Sequence, residues 1–226
     1  MIGASVVRLR KRVAALAALA GARDDGDLTV LLEVIWAAIE VEQAFAPPGR
    51  PPPACKPGCA GCCRINVGTL AIEGAVVAAQ LRSRRIDVEP AATAERLLAF
   101  HERVRWLEDR QRVAERLQCP FLDAGGRCTI HPVRPLACRS VSSLDPAECR
   151  RALSPDPDDD DEHPGMVRMD LLQKALHDEA FAALAEALAE RGLDARCRDV
   201  SGMTAAFLAD PGLTAAFLSG ARVPLA

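Results

Sequence analysis

Eight of the nine cysteines in this 226-residue chain fall into two groups. The first is Cys55-Lys56-Pro57-Gly58-Cys59-Ala60-Gly61-Cys62-Cys63. The second is Cys119, Cys128, Cys138 and Cys149, separated by eight, nine and ten residues. Nine cysteines in a chain of this length are too few for a disulfide scaffold and too clustered for scattered core residues. In a reducing compartment, thiols spaced this closely are most often metal ligands.

The spacing has a physical basis. A C-x₂-C or C-x₃-C loop brings two sulfurs to one ion about 2.3 Å away without distorting the backbone. Gly58 and Gly61 precede Cys59 and Cys62, where a turn needs permissive dihedrals and where backbone N–H groups can point at sulfur. Adjacent cysteines such as Cys62-Cys63 rarely chelate one ion, because their side chains diverge. That pattern suits a cluster, two metal ions, or one cysteine with a role other than ligand. Neither arm suffices alone. The fifty-five residues between Cys63 and Cys119 read as two helices, and a helical hairpin would return Cys119 beside Cys63. The lengths disagree, at about 24 Å out and about 40 Å back, so the second helix must overshoot or break.

Apolar residues are 50% of the chain and charged residues 26%, enough for a sizeable core. The net charge of −3 and an aromatic content of 4% without tyrosine argue against nucleic-acid partners. No run of about twenty apolar residues offers a membrane span. The N-terminus superficially resembles an export leader, with Arg8, Arg10, Lys11 and Arg12 before Val13 to Ala20. Val6, Leu9, Val13, Leu16 and Ala20, however, form an amphipathic stripe with every basic residue off it. The expectation is a cytoplasmic chain with reduced thiols; an exported, disulfide-bonded chain is the alternative, and an odd cysteine count would leave one thiol over.

The expected fold is mainly α, with an irregular cysteine-rich centre built on a helical hairpin and flanked by further helices. Residues 1–46 read as a helical pair, the second helix running from Asp27 as cap to about Phe45 and apolar around most of its circumference. Residues 47–54 are a proline-rich linker and residues 55–152 the cysteine centre. Within it, Thr69 caps a helix to about Arg84, and Glu89-Pro90 opens one to about Gln118 with Leu97, Phe100, Val104, Leu107 and Ala114 on one seam. Cys119 to Cys138, punctuated by Pro120, Gly125-Gly126, Pro132 and Pro135, is loop with a small hairpin. Asp145-Pro146 starts a short helix through Cys149. Residues 153–165 are an acidic solvated linker whose Asp156 to Glu162 run lacks the glycine turn and spaced ligands of a calcium loop. In the C-terminal segment, 166–226, a helix runs from Asp170 to Arg191, stopped by Gly192. The repeat Gly202-Met203-Thr204-Ala205-Ala206-Phe207-Leu208 and Gly212-Leu213-Thr214-Ala215-Ala216-Phe217-Leu218 then makes two short helices packing Phe and Leu on the core.

The cysteine pattern, followed by Cys119-Pro120-Phe121-Leu122, Gly126-x-Cys128-x-Ile130 and Arg134-Pro135-x-x-Cys138-Arg139, resembles the YkgJ-type cysteine-cluster family. Its members are described as zinc- or iron-chelating domains and often labelled Fe–S-cluster proteins; a related domain occurs in flagellin lysine methylases. The resemblance covers about Cys55 to Cys149, with three motifs in order, and His131 stands where the family pattern has a tyrosine. It implies metal chelation at Cys55, Cys59, Cys62, Cys63, Cys119, Cys128 and Cys138. Cys149 joins the set by spacing. Arg134 and Arg139 are candidates for cofactor binding, donating to cluster sulfurs or an anionic substrate; the plainer reading has them tie the loop down. His131 reads as a loop histidine bonded to backbone, and His101, His163 and His177 have no partner at metal-binding spacing. Cys197 stands alone and reads as a small buried apolar residue.

The expected cofactor is an Fe–S cluster, in its 4Fe–4S form, because the thiols outnumber one tetrahedral zinc site; zinc, in one or two sites, is the alternative. No phosphate loop, dinucleotide turn, H-E-x-x-H helix or nucleophile elbow occurs, so no catalytic residue is assigned. Metal chelation through both arms is the expected function. An enzyme modifying a protein or peptide, or a zinc or iron carrier, are the alternatives, and a protein partner is compatible with either.

Overall fold

The computed structural model describes residues 2–19, 21–46, 48–56, 58–83, 89–153 and 166–224. The acidic run from Asp156 to Glu162, His163 and the extreme termini lie outside the described residues. The chain is mainly helical, with ten α-helices among the described residues.

Helix α1 (Ile2–Leu19) packs on α2 (Asp25–Ala44) and α8 (Leu171–Glu190). Its stripe enters the core at Leu9 and Val13, as the amphipathic pattern dictates. The basic residues off the stripe make the ties: Arg8 donates to the buried Glu42 at 2.6 Å, and Arg10 pairs with Glu179 and Glu186 on α8. The Arg8 bond holds the Glu42 carboxyl below its usual range despite burial.

Helix α2 starts earlier than the sequence suggests. Asp24, not Asp27, is the cap, its side chain accepting the Asp27 N–H at 3.0 Å. Only one face of α2 is buried, through Leu28, Leu32, Ile35 and Ile39, while Val30, Val34 and Val41 remain exposed. The even spread of apolar residues masks which side has neighbours.

The centre of the molecule is α3 (Ala71–Arg82), α4 (Pro90–Val104) and α9 (Val200–Ala209). The two helices between the cysteine arms do form, but α9, from the far end of the chain, packs against both. Two glycines permit this. A Cβ on Gly74 of α3 would lie 2.3 Å from Met203 Cγ, and one on Gly202 of α9 would lie 2.6 Å from His101 Nδ1. The return helix breaks: α4 ends at Val104 and a separate α5 (Asp109–Ala114) follows. The break rotates the apolar seam, so Leu97 and Val104 are buried, but beyond it Arg112, Val113 and Leu117 face inward and Ala114 is exposed.

The short helices α6 (Leu136–Ser140) and α7 (Pro146–Ala152) carry Cys138 and Cys149. Asp145 caps α7 as expected, accepting the Ala147 N–H at 2.8 Å. Helix α8 is capped by Asp170 and followed by Gly192 at φ +72°. The repeat yields α9 and α10 (Leu213–Leu218), whose fully buried Phe207 and Phe217 meet edge to face at 6.3 Å. One antiparallel pair, β1 (Gly68–Thr69) with β2 (Arg198–Asp199), lays the C-terminal segment beside the first cysteine arm. Gly68 lets Cys197 lie close there, since a Cβ would stand 2.6 Å from Cys197 Sγ and the thiol would have to turn away. A single apolar core runs from Leu9 to Val223.

Candidate metal centre

The first arm is a run of tight turns. Cys59 N–H donates to Lys56 O at 2.9 Å, Cys63 N–H to Ala60 O at 3.1 Å, and Ile65 N–H to Cys62 O at 3.3 Å. Gly58, at φ +85°, supplies the left-handed conformation. Gly61 does not adopt positive φ, and its Cβ position lies at an ordinary contact distance, 3.7 Å, from Cys149 Cβ.

The second arm is delivered in three pieces. Cys119 arrives from α5 and its N–H donates to Cys63 O at 2.6 Å, so the two arms do meet, although α3 and α4 pack on α9 rather than on each other as a hairpin. The break after Val104 absorbs the excess length. A narrow loop follows, with Leu122 bridged to Cys128, Thr129 N–H donating to Phe121 O at 2.8 Å, and Asp123 accepting from Gly125 and Arg127. Cys138 then enters on α6. Its start is fixed by Glu73, a buried carboxylate that accepts the Leu136 N–H at 2.7 Å and the Leu70 N–H at 3.0 Å. Burial lifts the Glu73 carboxyl to about 7, against the pull of those two N–H bonds.

Seven of the eight paired-arm thiols, Cys55, Cys59, Cys62, Cys63, Cys119, Cys128 and Cys138, line one cavity of about 270 Å³. Its other walls are apolar, including Phe100, Phe121, Ile130 and Val141, and His131, Arg134, Arg112 and Asp199 also reach it. Cys149 is the eighth thiol; it sits behind the first arm, against Gly61. All nine cysteines are free thiols.

The thiols perturb one another. Cys62 is raised by its hydrogen bond with Cys63 and then by burial. Burial pushes Cys119 up to about 11. It also raises Cys138, which has Cys119, Cys128 and Cys62 as further neighbours, and Cys128, which has Cys62. Cys149 is raised by burial, with the Cys55, Cys62 and Cys59 thiols adding to it. Arg134 works the other way on Cys62, Cys128 and Cys138. Left alone, these are protonated thiols, so a metal would have to displace protons to gain thiolate ligands.

Of the two arginine candidates, Arg134 lines the cavity and its buried Nε has no hydrogen-bond partner. Arg139 stacks over Trp36 at 4.1 Å and donates to Arg134 O at 2.9 Å and Pro132 O at 2.7 Å. It ties the loop. His131 is an exposed loop residue whose N–H donates to Cys128 O at 3.3 Å. His177 is buried on α8 with its ring against Gln173 O, and His101 is buried against α9. Cys197 is exposed rather than buried and lies off the cavity, beside Gly68.

Three residues of the site escaped the sequence reading. Arg112, buried and stacked on Phe100 at 5.3 Å, donates to Ile65 O at 3.0 Å and Asn66 Oδ1 at 3.1 Å, fixing the chain that leaves the first arm. Asp199 reaches the cavity from the C-terminal segment. Glu73 was legible as an acidic residue at the third position of a helix, where it reaches back to the N-terminus. Nothing in the sequence marks the other two.

The donor set fits a soft metal, being sulfur-rich with cationic Arg134 beside it. Among the described residues, no three histidine, cysteine or acidic side chains are already drawn together as an ion would hold them. Comparison with known proteins agrees with the chemistry. Residues 54–158 match the family CxxCxxCC, described as a "putative zinc- or iron-chelating domain". No curated protein and no solved structure matches the chain.

Proposed function

We propose, with residues 54–158 forming a CxxCxxCC zinc- or iron-chelating segment, that this protein holds an Fe–S cluster through thiols of both cysteine arms. The observation that supports it is the convergence of seven thiols, from sequence positions 55 to 138, on one cavity. Four thiolates serve one 4Fe–4S cluster as they serve one tetrahedral zinc ion, and it is the adjacent pair Cys62-Cys63, whose side chains diverge, that suits a cluster better. The ligands are drawn from Cys55, Cys59, Cys62, Cys63, Cys119, Cys128, Cys138 and Cys149. Such a group would supply electron transfer or Lewis acidity. Arg134, held by the loop that Arg139 ties, offsets thiolate charge with its unpartnered Nε. Apolar side chains flank the sulfurs, while Cys55 and Cys59 stay open to solvent. A reducing, cytoplasmic setting fits free thiols, and no helix among the described residues is long and apolar enough to cross a membrane.

Purification under anaerobic conditions with iron, sulfide and zinc quantification tests this. A brown protein with iron and acid-labile sulfide supports the cluster. A colourless protein with stoichiometric zinc replaces the cluster by zinc, and a protein without either metal overturns chelation.

A further inference from the structure

The cavity that gathers the thiols carries the wrong sign of charge to attract a bare metal ion. Three cations line it, Lys56, Arg112 and Arg134, against one carboxylate, Asp199. The chain as a whole is the reverse, with 31 acidic and 28 basic residues. Asp199 is already engaged, accepting from Ser201 N–H at 2.9 Å with Arg112 Nη1 at 3.8 Å. Lys56 and Arg134 have no carboxylate partner among the described residues. Lys56 is exposed and follows the exposed Cys55. Arg134, half-buried, acts on Cys62, Cys128 and Cys138. The two free cations therefore stand at both depths of the cavity. Its volume of about 270 Å³ is far more than a single ion fills, and among the described residues the thiols are not drawn together around one point.

We propose that metal reaches this cavity as a net-negative chelate, a polycarboxylate holding the ion through oxygen, whose carboxylates dock on Lys56 and Arg134. This rests on the chelating function argued above and names the form in which its metal arrives. A positive pocket repels a free divalent ion and draws in an anion, and steering of this kind changes association rates by about 10- to 1,000-fold. Ammonium and guanidinium groups are the natural partners of carboxylates. Softness then gives the transfer its direction. Thiolate selects zinc and iron, whereas carboxylate suits magnesium, calcium and manganese, so the ion moves from the chelate to the protein. Each metal–oxygen bond is exchanged for a metal–sulfur bond, the thiol proton passes to water, and the freed polycarboxylate leaves as an anion. A carrier that held the ion through sulfur would offer no such gradient. Once the thiolates have formed, Arg134 offsets their charge, so one group serves both arrival and retention.

The test follows zinc uptake by the full chain, reduced and stripped of metal, through zinc–thiolate absorbance after rapid mixing. Zinc is offered as the hydrated ion or as its citrate complex, at low and at raised concentrations of a non-coordinating salt. Raised salt should slow uptake from the citrate complex and speed uptake from the hydrated ion, because screening weakens attraction in one case and repulsion in the other. Lys56→Gln and Arg134→Gln should each shift the two rates in the same opposed directions at low salt, by about three- to tenfold. Opposed signs separate steering from loss of structure, which would slow both forms. Opposed shifts in the exposed Lys56→Gln carry the proposal even where Arg134→Gln slows both forms. The proposal is overturned if salt moves both wild-type rates together or neither, or if Lys56→Gln fails to shift them in opposite directions. A chain that takes zinc from neither form refutes the chelating function instead, a separate readout from the dependence on charge.

Discussion

Cys62 is the thiol with the most thiol neighbours, meeting Cys63 by hydrogen bond and Cys128, Cys138 and Cys149 by proximity. Its loss should therefore be felt furthest. Cys62→Ser is expected to remove most retained metal and to lower the melting temperature, because metal binding and folding are coupled; wild-type metal content with an unchanged melting curve would contradict this. A different logic governs Gly202. Alanine there gains about 1 kcal/mol of helix propensity, but its Cβ would meet the His101 ring at 2.6 Å, and that ring is buried. Overpacking of this kind costs about 1–3 kcal/mol, so Gly202→Ala should be net destabilising by denaturant titration. The cysteines were legible because thiol spacing is a chemical constraint written along the chain. Arg112 and Asp199 were not, because their roles depend on which distant backbone they happen to meet.

Helices α9 and α10 were readable from their repeat, and the two faces they bury are those of Phe207 and Phe217. Phe207→Ala should cost about 3–5 kcal/mol, since the ring is fully buried and its partner Phe217 is fixed by the same core; a loss below 1 kcal/mol in urea titration would show that the helix pair repacks. The place of α9 was not readable. Its apolar residues, Val200 to Leu208, say only that it is buried, and a helix buried on every side carries no periodic signal of which neighbours it meets. Length alone required the return helix to overshoot or break, since about 40 Å of helix cannot close a loop opened by about 24 Å, but it named neither the outcome nor the place, Val104. The rotated seam beyond it was not foreseen, because periodicity counted across a break points to the wrong face. Helix α2 shows the converse failure, in which apolar residues all round gave burial on one side only.

Because α9 and β2 wall the cysteine centre, the part that resembles a known family is not a free-standing unit. Residues 54–158 expressed alone should lack the α3–α9 and α4–α9 contacts and Asp199, and should show neither a cooperative melt nor retained metal. A cooperative melt of that fragment would show that the core divides. The far end of the chain is secured by Asp194, which accepts from Arg196 at 2.6 Å and from Val223 N–H at 2.9 Å. The Arg196 bond holds its carboxyl down at about 2. A carboxyl depressed in the folded state stabilises above its unfolded value and loses that contribution as pH falls through the folded one. Stability should thus drop between about pH 4 and pH 2, and Asp194→Asn should flatten that part of the acid curve; an unchanged acid slope would remove Asp194 from the account.

The packing of α9 against both helices of the cysteine centre also sets a schedule. A ribosome makes Cys149 some fifty residues before Asp199 and Val200, a delay of roughly 2.5 to 10 s at about 5–20 residues per second. Throughout that interval every thiol of both arms has been synthesised while the wall that encloses them has not. The nascent chain is then an open thiol-rich segment, exposed to oxidants and to whatever ion is most abundant. The wall that α9 and β2 contribute arrives only after every thiol of both arms has been made, so enclosure of the thiols is a late event in the making of the chain.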